Sequence, residues 1–389
     1  MSLRRPRFVF ALFFSFALIC ASAQQVPPRT TLQAAKPQPS IIPIPADPLE
    51  LATGQGKVLD MAQDRASVLS LLETARQNAD LTAPAADSFI MKTTFEASGA
   101  LAHTGSGEMT ELWISPNRWG WESQFGGYSQ QRVFVDGRIR DHRSETFVPL
   151  RLQMVRATLF WPMNFQSQAM MRIAAGRIGS TDLLCALFSG RMNDPAAMSS
   201  IPGRRWVETE YCADPKTKLL RVYSDAPGIY VVYDYDGAIE FHGRAVPRNI
   251  TITEAGSVVL NVRIESVSQP APADIALLNT ASKMDAGPQP ALSLPIRIPQ
   301  FTAAPAGFKG ELHPVIVHAS VAPDGQVLEE EALQTSDPAL AQAALDAVRR
   351  SSYSNRFPRG ASAAGWQREY FINVRFPQPT EQSSVTGRP

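Results

Sequence analysis

Residues 58 to 79, VLDMAQDRASVLSLLETARQNA, set Val58, Met61, Val68, Leu69, Leu71, Leu72 and Ala75 on one imperfect apolar face and leave charge on much of the rest. That spacing predicts an amphipathic helix covering a sheet. From Phe89 the period shortens. The runs FIMKTTFEASGA, EMTELWISP, RWGWESQFG, QQRVFVDGRIRD and HRSETFVPL alternate or bunch apolar residues between Gly, Pro and Asp. They predict a large antiparallel sheet, with Gly126-Gly127 and Asp136-Gly137 at turns that need backbone angles open to glycine. The stretch LQMVRATLFWPMNFQSQAMMRIAAGRIGSTDLLCALFSG is less regular. It reads as a helix from Ser167 to Arg177 and a helical turn from Thr181 to Phe188, with Met163, Met170 and Met171 filling apolar space. Strand signals return in RRWVETEYCAD, KLLRVYSD, GIYVVYDYDGAIEFHG and VVLNVRIESV and carry this region to Ser268.

The last part of the chain has the sharpest pattern. HPVIVHASVAPDGQVLEEEALQTSDPALAQAALDAVRRSSYSNR and GWQREYFINVRF read as strand, Asp324-Gly325 turn, strand, helix and strand. Val315, Val317, Ala319 and Val321 alternate, and Leu340, Ala343, Ala344, Ala347 and Val348 give the helix an apolar side. Asp337 followed by Pro338 predicts its N-cap and first turn.

Proline divides the chain. Of 389 residues 31 are Pro, and they concentrate in a lead (24–48) and a linker (269–309), where regular helix or central strand is disfavoured. Within the linker, LSLPIRIP has strand character suited only to a sheet edge, because Pro295 and Pro299 lack a donor. The N-terminal stretch MSLRRPRFVFALFFSFALICASAQQ reads as a signal peptide (1–23): Arg4, Arg5 and Arg7, then an apolar core from Phe8 to Cys20, then Ala21-Ser22-Ala23. An uncleaved anchor is the alternative, although the apolar core is short for a bilayer span. Bulky Ile19 before Cys20 argues against lipid attachment.

Thirty-seven Lys and Arg against 36 Asp and Glu give a net charge of +1, which becomes −2 once the three leader arginines are removed. A strongly basic nucleic-acid binder is excluded. Hydrophobic residues make up 44% of the chain, so a wholly disordered chain is excluded too. After export two cysteines remain, Cys185 and Cys212, forming either one disulfide or two buried thiols. His103, His142, His242, His313 and His318 show no metal-binding spacing, and no cofactor is expected. No GxSxG elbow, phosphate loop or dinucleotide fingerprint is present. Asp214, Asp225, Asp234, Asp236 and Glu240 admit an envelope hydrolase as an alternative, against turn and hairpin roles favoured by Pro215, Gly228 and Gly237.

The leading helix, PAADSFIMKTTFEASG, GSGEMTELWISPNRWGWES and RVYSDAPGIYVVYDYDG together resemble the lipoprotein-carrier/lipoprotein-sorting superfamily over residues 49–268. This resemblance implies a curved, incomplete β-barrel around helices with an apolar cavity. VIVHASVAPDGQVLE, DPALAQAALDAVRR and WQREYFINVRF resemble the TonB C-terminal domain family over residues 310–376, implying a small β-β-α-β domain that binds a partner's extended segment by strand addition. Energy-transducing members of that family keep an N-terminal membrane helix and a long spacer. Here the leader reads as cleavable and a large β-rich domain stands in the spacer's place, so transporter coupling is the alternative to a binding or scaffold role.

The expectation is therefore a two-domain α+β protein of the periplasm or cell envelope, with a flexible tail from residue 377 to residue 389 and no nucleic-acid partner. Its sequence does not fix the oligomeric state. Trp113, Trp119, Trp121 and Phe125 are candidates for contact with an apolar or lipid ligand, with core packing as the alternative. Tyr370, Phe371, Ile372, Asn373, Val374, Arg375 and Phe376 are candidates for pairing with an envelope protein or extended peptide. Arg356 and Arg359 are candidates for contact with an acidic part of that partner.

Overall fold

The computed structural model describes residues 57–58, 62–83, 86–160, 163, 170–189, 208–278, 284, 295–334, 337–353 and 367–376. The leader, the Pro-rich lead, the 377–389 tail, Arg356 and Arg359 lie outside the described residues.

In chain order the first part comprises β1 (Lys57–Val58), α1 (Ala62–Ala79), β2 (Phe89–Ala97), β3 (Gly105–Ser115), β4 (Arg118–Phe125), β5 (Tyr128–Val135), β6 (Arg138–Arg143) and α2 (Leu150–Phe160). It continues through β7 (Met170–Ile178), β8 (Thr181–Ser189), β9 (Glu208–Ala213), β10 (Leu220–Ser224) and β11 (Ile229–Asp234). The small pair β12 (Ile239–Phe241) and β13 (Arg244–Val246), then β14 (Asn249–Glu254) and β15 (Ser257–Ser268), complete it. Thirteen of these strands form one curved, unclosed antiparallel sheet in the order β1-β7-β8-β9-β10-β11-β14-β15-β2-β3-β4-β5-β6. Chain-distant β15 and β2 pair along their length, from Leu260 opposite Ala97 to Ser268 opposite Ile90, and so join the two halves.

The helix and helical turn expected at Ser167–Arg177 and Thr181–Phe188 are corrected: the described part of that stretch is the β7–β8 hairpin, from Met170 opposite Ser189 to Ile178 opposite Thr181. Both faces of this hairpin are buried, so alternation is absent. Met171, Ala186 and Phe188 join the main core. Ala174, Leu183, Cys185 and Leu187 join a separate cluster on the opposite face. A strand apolar on both sides reads like a buried helix. The helix in this region lies earlier. Leu150, Leu152, Met154, Val155, Leu159 and Phe160 of α2 are all buried in the main core beside Val68, Leu72 and Ala75 of α1. Tyr233 donates its hydroxyl to the Thr158 carbonyl (3.2 Å), satisfying one of the last acceptors of α2.

The second part comprises α3 (Pro272–Leu277), β16 (Ile296–Phe301), β17 (Val315–Val321), β18 (Val327–Gln334), α4 (Pro338–Arg349) and β19 (Arg368–Arg375), with a mixed four-stranded sheet in the order β16-β19-β17-β18. Asp337 caps α4 by accepting from Ala339 N (2.7 Å) and Leu340 N (3.4 Å). The turn at Gly325 is specific to glycine. Its φ is +89°, and a Cβ there would stand 2.3 Å from the Tyr353 carbonyl oxygen just beyond α4.

Every residue of β17 is buried, because its two faces serve two cores. Val315, Val317, Ala319 and Val321 pack with Leu340, Ala344 and Val348 of α4. Ile316 points the other way and joins the core of the large sheet together with Leu333 and Phe371. Each such side chain taken from water stabilises by roughly 1.5–3 kcal/mol. The small sheet is thus a layer between α4 and the large sheet.

The linker is built into both parts. Leu278 and Met284 pack with Ile90, Leu112 and Val133 on the face of the large sheet opposite the main core. In that row Gly120 pairs with Leu112 on one side and Val133 on the other. Its missing side chain seats Leu278, whose Cδ2 would be 2.7 Å from a Cβ at this position.

Candidate functional site

The edge proposed for partner pairing is occupied by the chain itself. Strand β16 runs parallel to β19, from Ile296 opposite Tyr370 to Phe301 opposite Arg375, while β17 pairs with the other edge of β19. Tyr370–Phe376 therefore presents no open edge, and Tyr370, Phe371, Ile372, Asn373, Val374 and Phe376 are all buried. The described part of the LSLPIRIP segment, from Pro295 on, takes the edge position its prolines allow. No residue of β16 is fully buried, and Phe301 is 65% exposed. Two polar side chains anchor the strand. Arg297 Nη2 donates to Asp225 Oδ1 (2.7 Å) and Thr209 Oγ1 (2.6 Å) on the large sheet. Gln300 donates to the Ala347 carbonyl (3.1 Å) at the end of α4 and accepts from the Tyr353 hydroxyl (2.6 Å).

The aromatic candidates separate. Trp113, Trp119, Phe134 and Ile139 form one cross-strand row over β3 to β6, and Glu111, Trp121, Arg132 and Asp141 form the next. Arg156 of α2 lies over the Trp121 ring (4.6 Å) and donates to Glu111 (3.0 Å). Trp113 is half-buried, Trp119 and Trp121 are buried, and Phe125 lies apart from them against Phe95. Burial pushes the Glu111 carboxyl up against the pull of Arg156. It also lowers Arg132 to about 10, although Asp141 opposes the shift. A cavity of about 20 Å³ lies between Leu81, Met91, Leu159, Leu220, Tyr233 and Ile250. That is room for about one water and none for an acyl chain. A broader groove of about 1040 Å³ is lined by polar Thr94, Glu96, Asn261 and Arg263 and by the ligand candidate Phe125 with Tyr128.

A third feature, which pattern reading missed, is a buried polar network between the small sheet and the large one. Arg151 of α2 donates to Glu254 (2.9 Å) and to Glu331 of β18 (2.5 Å). His318 Nε2 stands 3.1 Å from Glu369, and its Nδ1 stands 3.5 Å from Glu254, a charge contact rather than a short hydrogen bond. Burial disfavours the imidazolium, but Glu254 and Glu369 outweigh it and raise His318 to about 9. Burial and the adjacent Glu254 push the Glu331 carboxyl up, whereas His318, Glu331 and Arg151 together hold Glu254 down against its own burial. The two carboxylates that share one guanidinium are thus pushed in opposite directions. At its rim Glu329 accepts from Leu150 N (2.6 Å), capping the start of α2 from the other sheet. Gln367 accepts from Val148 N (2.7 Å) and donates to Val148 O (2.8 Å).

Asp214 and Asp234 are engaged locally. Asp214 accepts from Lys216 N (2.8 Å) and the Thr217 hydroxyl (2.8 Å), and Asp234 accepts from Asp236 N (3.0 Å). Asp225 holds Arg297, and Glu240 pairs with Ala245 in the β12–β13 hairpin. Cys185 and Cys212 are directly opposed on β8 and β9 and are joined, S–S 2.03 Å. Their sulfurs lie near Glu210 as a metal site would require, but the bond between them removes both as thiolate ligands.

No helix among the described residues is long and apolar enough to cross a membrane. No family model and no curated protein matches this sequence. Among solved structures the chain is similar to a LolA superfamily protein from Nitrosomonas europaea (13% identity, 53% of this chain and 96% of that one, TM-score 0.33). It is similar also to a putative outer membrane lipoprotein-sorting protein domain from Vibrio parahaemolyticus (8% identity, 54% and 97%, TM-score 0.32). The MucA/MucB complex of Pseudomonas aeruginosa matches at 15% identity, over 55% of this chain and 60% of that one, with TM-score 0.23. These likenesses are distant and partial, and at such scores they carry no part of the functional argument.

Proposed function

We propose that this is an exported, non-enzymatic binding protein of the bacterial envelope, which holds an extended segment of a partner protein by adding it as a strand to its small C-terminal sheet. The observation that carries the reading is the outer edge of β19, which accepts a parallel strand from a segment lying outside the strand-turn-strand-helix-strand unit. Main-chain pairing of this kind supplies affinity, and alternate side chains supply selectivity. In this reading the large sheet serves as the body against which the small one is held, through Arg151, Glu254, Glu331 and His318.

Native mass spectrometry of the full-length protein recovered from its own envelope tests the reading. The expected result is a leaderless chain with a bound polypeptide, whose contact with β16 or β19 is located by cross-linking. Recovery with lipid adducts alone, or a hydrolytic turnover abolished by changing Asp214 or Asp225, overturns it.

A further inference from the structure

We infer that β16 is a resident occupant of the partner site, exchanged for a partner segment that enters parallel to β19 and carries an apolar-basic-apolar pattern. This inference rests on the strand-addition reading and adds what fills the site at rest and what the partner must look like. Four observations converge. First, β16 comes from the linker and among the described residues pairs through one edge only, so removing it uncovers β19 without disturbing the β17–β18 and β17–β19 ladders. Second, its side chains are half-buried or exposed, whereas those of β19 are mostly buried, so less apolar area opposes its departure. Third, Pro299 has no N–H and confines β16 to an edge, so the strand closes the sheet and takes no further neighbour of its own. Fourth, its anchors define a recognition pattern. Ile296 and Ile298 pack on the small core, Arg297 between them reaches Asp225 and Thr209 of the large sheet, and Gln300 reaches Ala347, Ser351 and Tyr353.

A replacing segment meets the same surroundings. Two apolar residues flanking a cation, with an amide two positions beyond the second apolar one, reproduce the Ile-Arg-Ile-x-Gln contacts. A segment with an acidic group at the central position sets that charge against Asp225. Exchange passes the Arg297 bridge to Asp225 and Thr209 on to the partner's cation, so occupancy of the edge and the hold of the small sheet on the large one are linked. The covalent tether favours the resident strand, because it holds β16 at an effective concentration on the order of millimolar. A free segment of equal intrinsic affinity displaces β16 only above that level.

The probe is a fluorescent peptide with the sequence of residues 295–302, together with a version carrying Asp at the Arg297 position. Binding is measured to the full chain, to Arg297→Ala and to the double variant Ile296→Ser/Ile298→Ser. Both variants are expected to bind the peptide about tenfold or more tightly than the unchanged chain, the order expected for losing one charge-assisted hydrogen bond in the first and two partly buried apolar side chains in the second. The Asp peptide is expected to lose that gain. Hydrogen exchange on the unchanged chain gives a readout independent of whether the variants fold: saturating peptide should strip amide protection from 296–301 and leave 315–321 protected. Equal binding to all three proteins, or peptide binding with 296–301 still protected, overturns the exchange. A cross-linked envelope partner found with β16 still in place sinks the exchange and leaves strand addition standing at another edge. Peptide exchange with no envelope polypeptide recovered does the reverse.

Discussion

Arg151 on α2 donates to Glu254 at the end of β14 across 2.9 Å, and neither side chain is more than 2% exposed. Glu331, from the small sheet, takes the second arm of the same guanidinium. Removing the guanidinium leaves Glu254 and Glu331 without the cation they share, with His318 beside Glu254 alone. Arg151→Met is expected to destabilise the protein by about 3 kcal/mol, because a largely buried ion network then loses its central charge. Thermal unfolding measures this, and adding Glu254→Gln and Glu331→Gln to the same chain should recover much of the loss. A fall of under about 1 kcal/mol for Arg151→Met would show that the network contributes little.

The same network predicts a pH dependence with a defined sign. His318 is raised to about 9 in the folded protein, above an unfolded value of about 6.5. Its contribution is complete below pH 6.5 and is lost as pH rises through 9. Glu331 acts in the same direction, since a carboxyl raised by burial and by Glu254 costs more as the medium becomes able to ionise it. Glu254, held down, loses its contribution only in acid. Stability is therefore expected to decline from mildly acidic pH toward pH 9, and His318→Gln should flatten that decline. An unchanged slope in the variant would separate His318 from the effect.

The disulfide closes a loop with a sequence separation of 27 between Cys185 and Cys212. Chain-entropy reasoning for a loop of this size gives a stabilisation of about 3–4 kcal/mol. Reduction, or Cys185→Ala with Cys212→Ala, should lower the unfolding midpoint accordingly. Equal midpoints in oxidised and reduced protein would show that the cross-link contributes little to stability.

Docking of the linker is tested at Gly120. An added methyl meets Leu278 Cδ2 at 2.7 Å and Val133 Cγ1 at 2.9 Å. Gly120→Ala is expected to cost about 1–3 kcal/mol through overpacking. In a Leu278→Ala background the cost should shrink, because the closest clashing atom is gone. Strict additivity of the two changes would mean that Leu278 does not rest on Gly120 in solution.

Local pattern carried much of this architecture. Asp337-Pro338, the Asp324-Gly325 turn and the alternation of Val315 to Val321 each act within a few residues, and each stands where the sequence places it. What escaped depends on partners distant in the chain. His318 and Ser320 look like the solvent side of a strand, yet that side is buried against the large sheet. The helix α2 is buried nearly all round and so lacks the polar face that marks a surface helix. β7 and β8 lack alternation because a second apolar cluster, centred on Cys185 and Cys212, covers their other face. Of the site, the LSLPIRIP edge strand was legible from its prolines. That it would take the β19 edge was not, because sequence spacing carries no information about which strand a linker meets.

The two sheets end in four strands, and each end discourages the stacking of one molecule on another. β1 is two residues long, β6 carries Arg138, Arg140 and Arg143, and β18 is held against α2 through Glu329 and Glu331. β16 has Pro299 at its middle. Only the last of these guards is a separate strand that covers a regular, proline-free edge, so lifting β16 with nothing to replace it would leave β19 open to a second copy of the protein. Self-association of β16-deleted chains, growing with concentration and absent from the intact protein, is the colloidal cost of an uncovered β19.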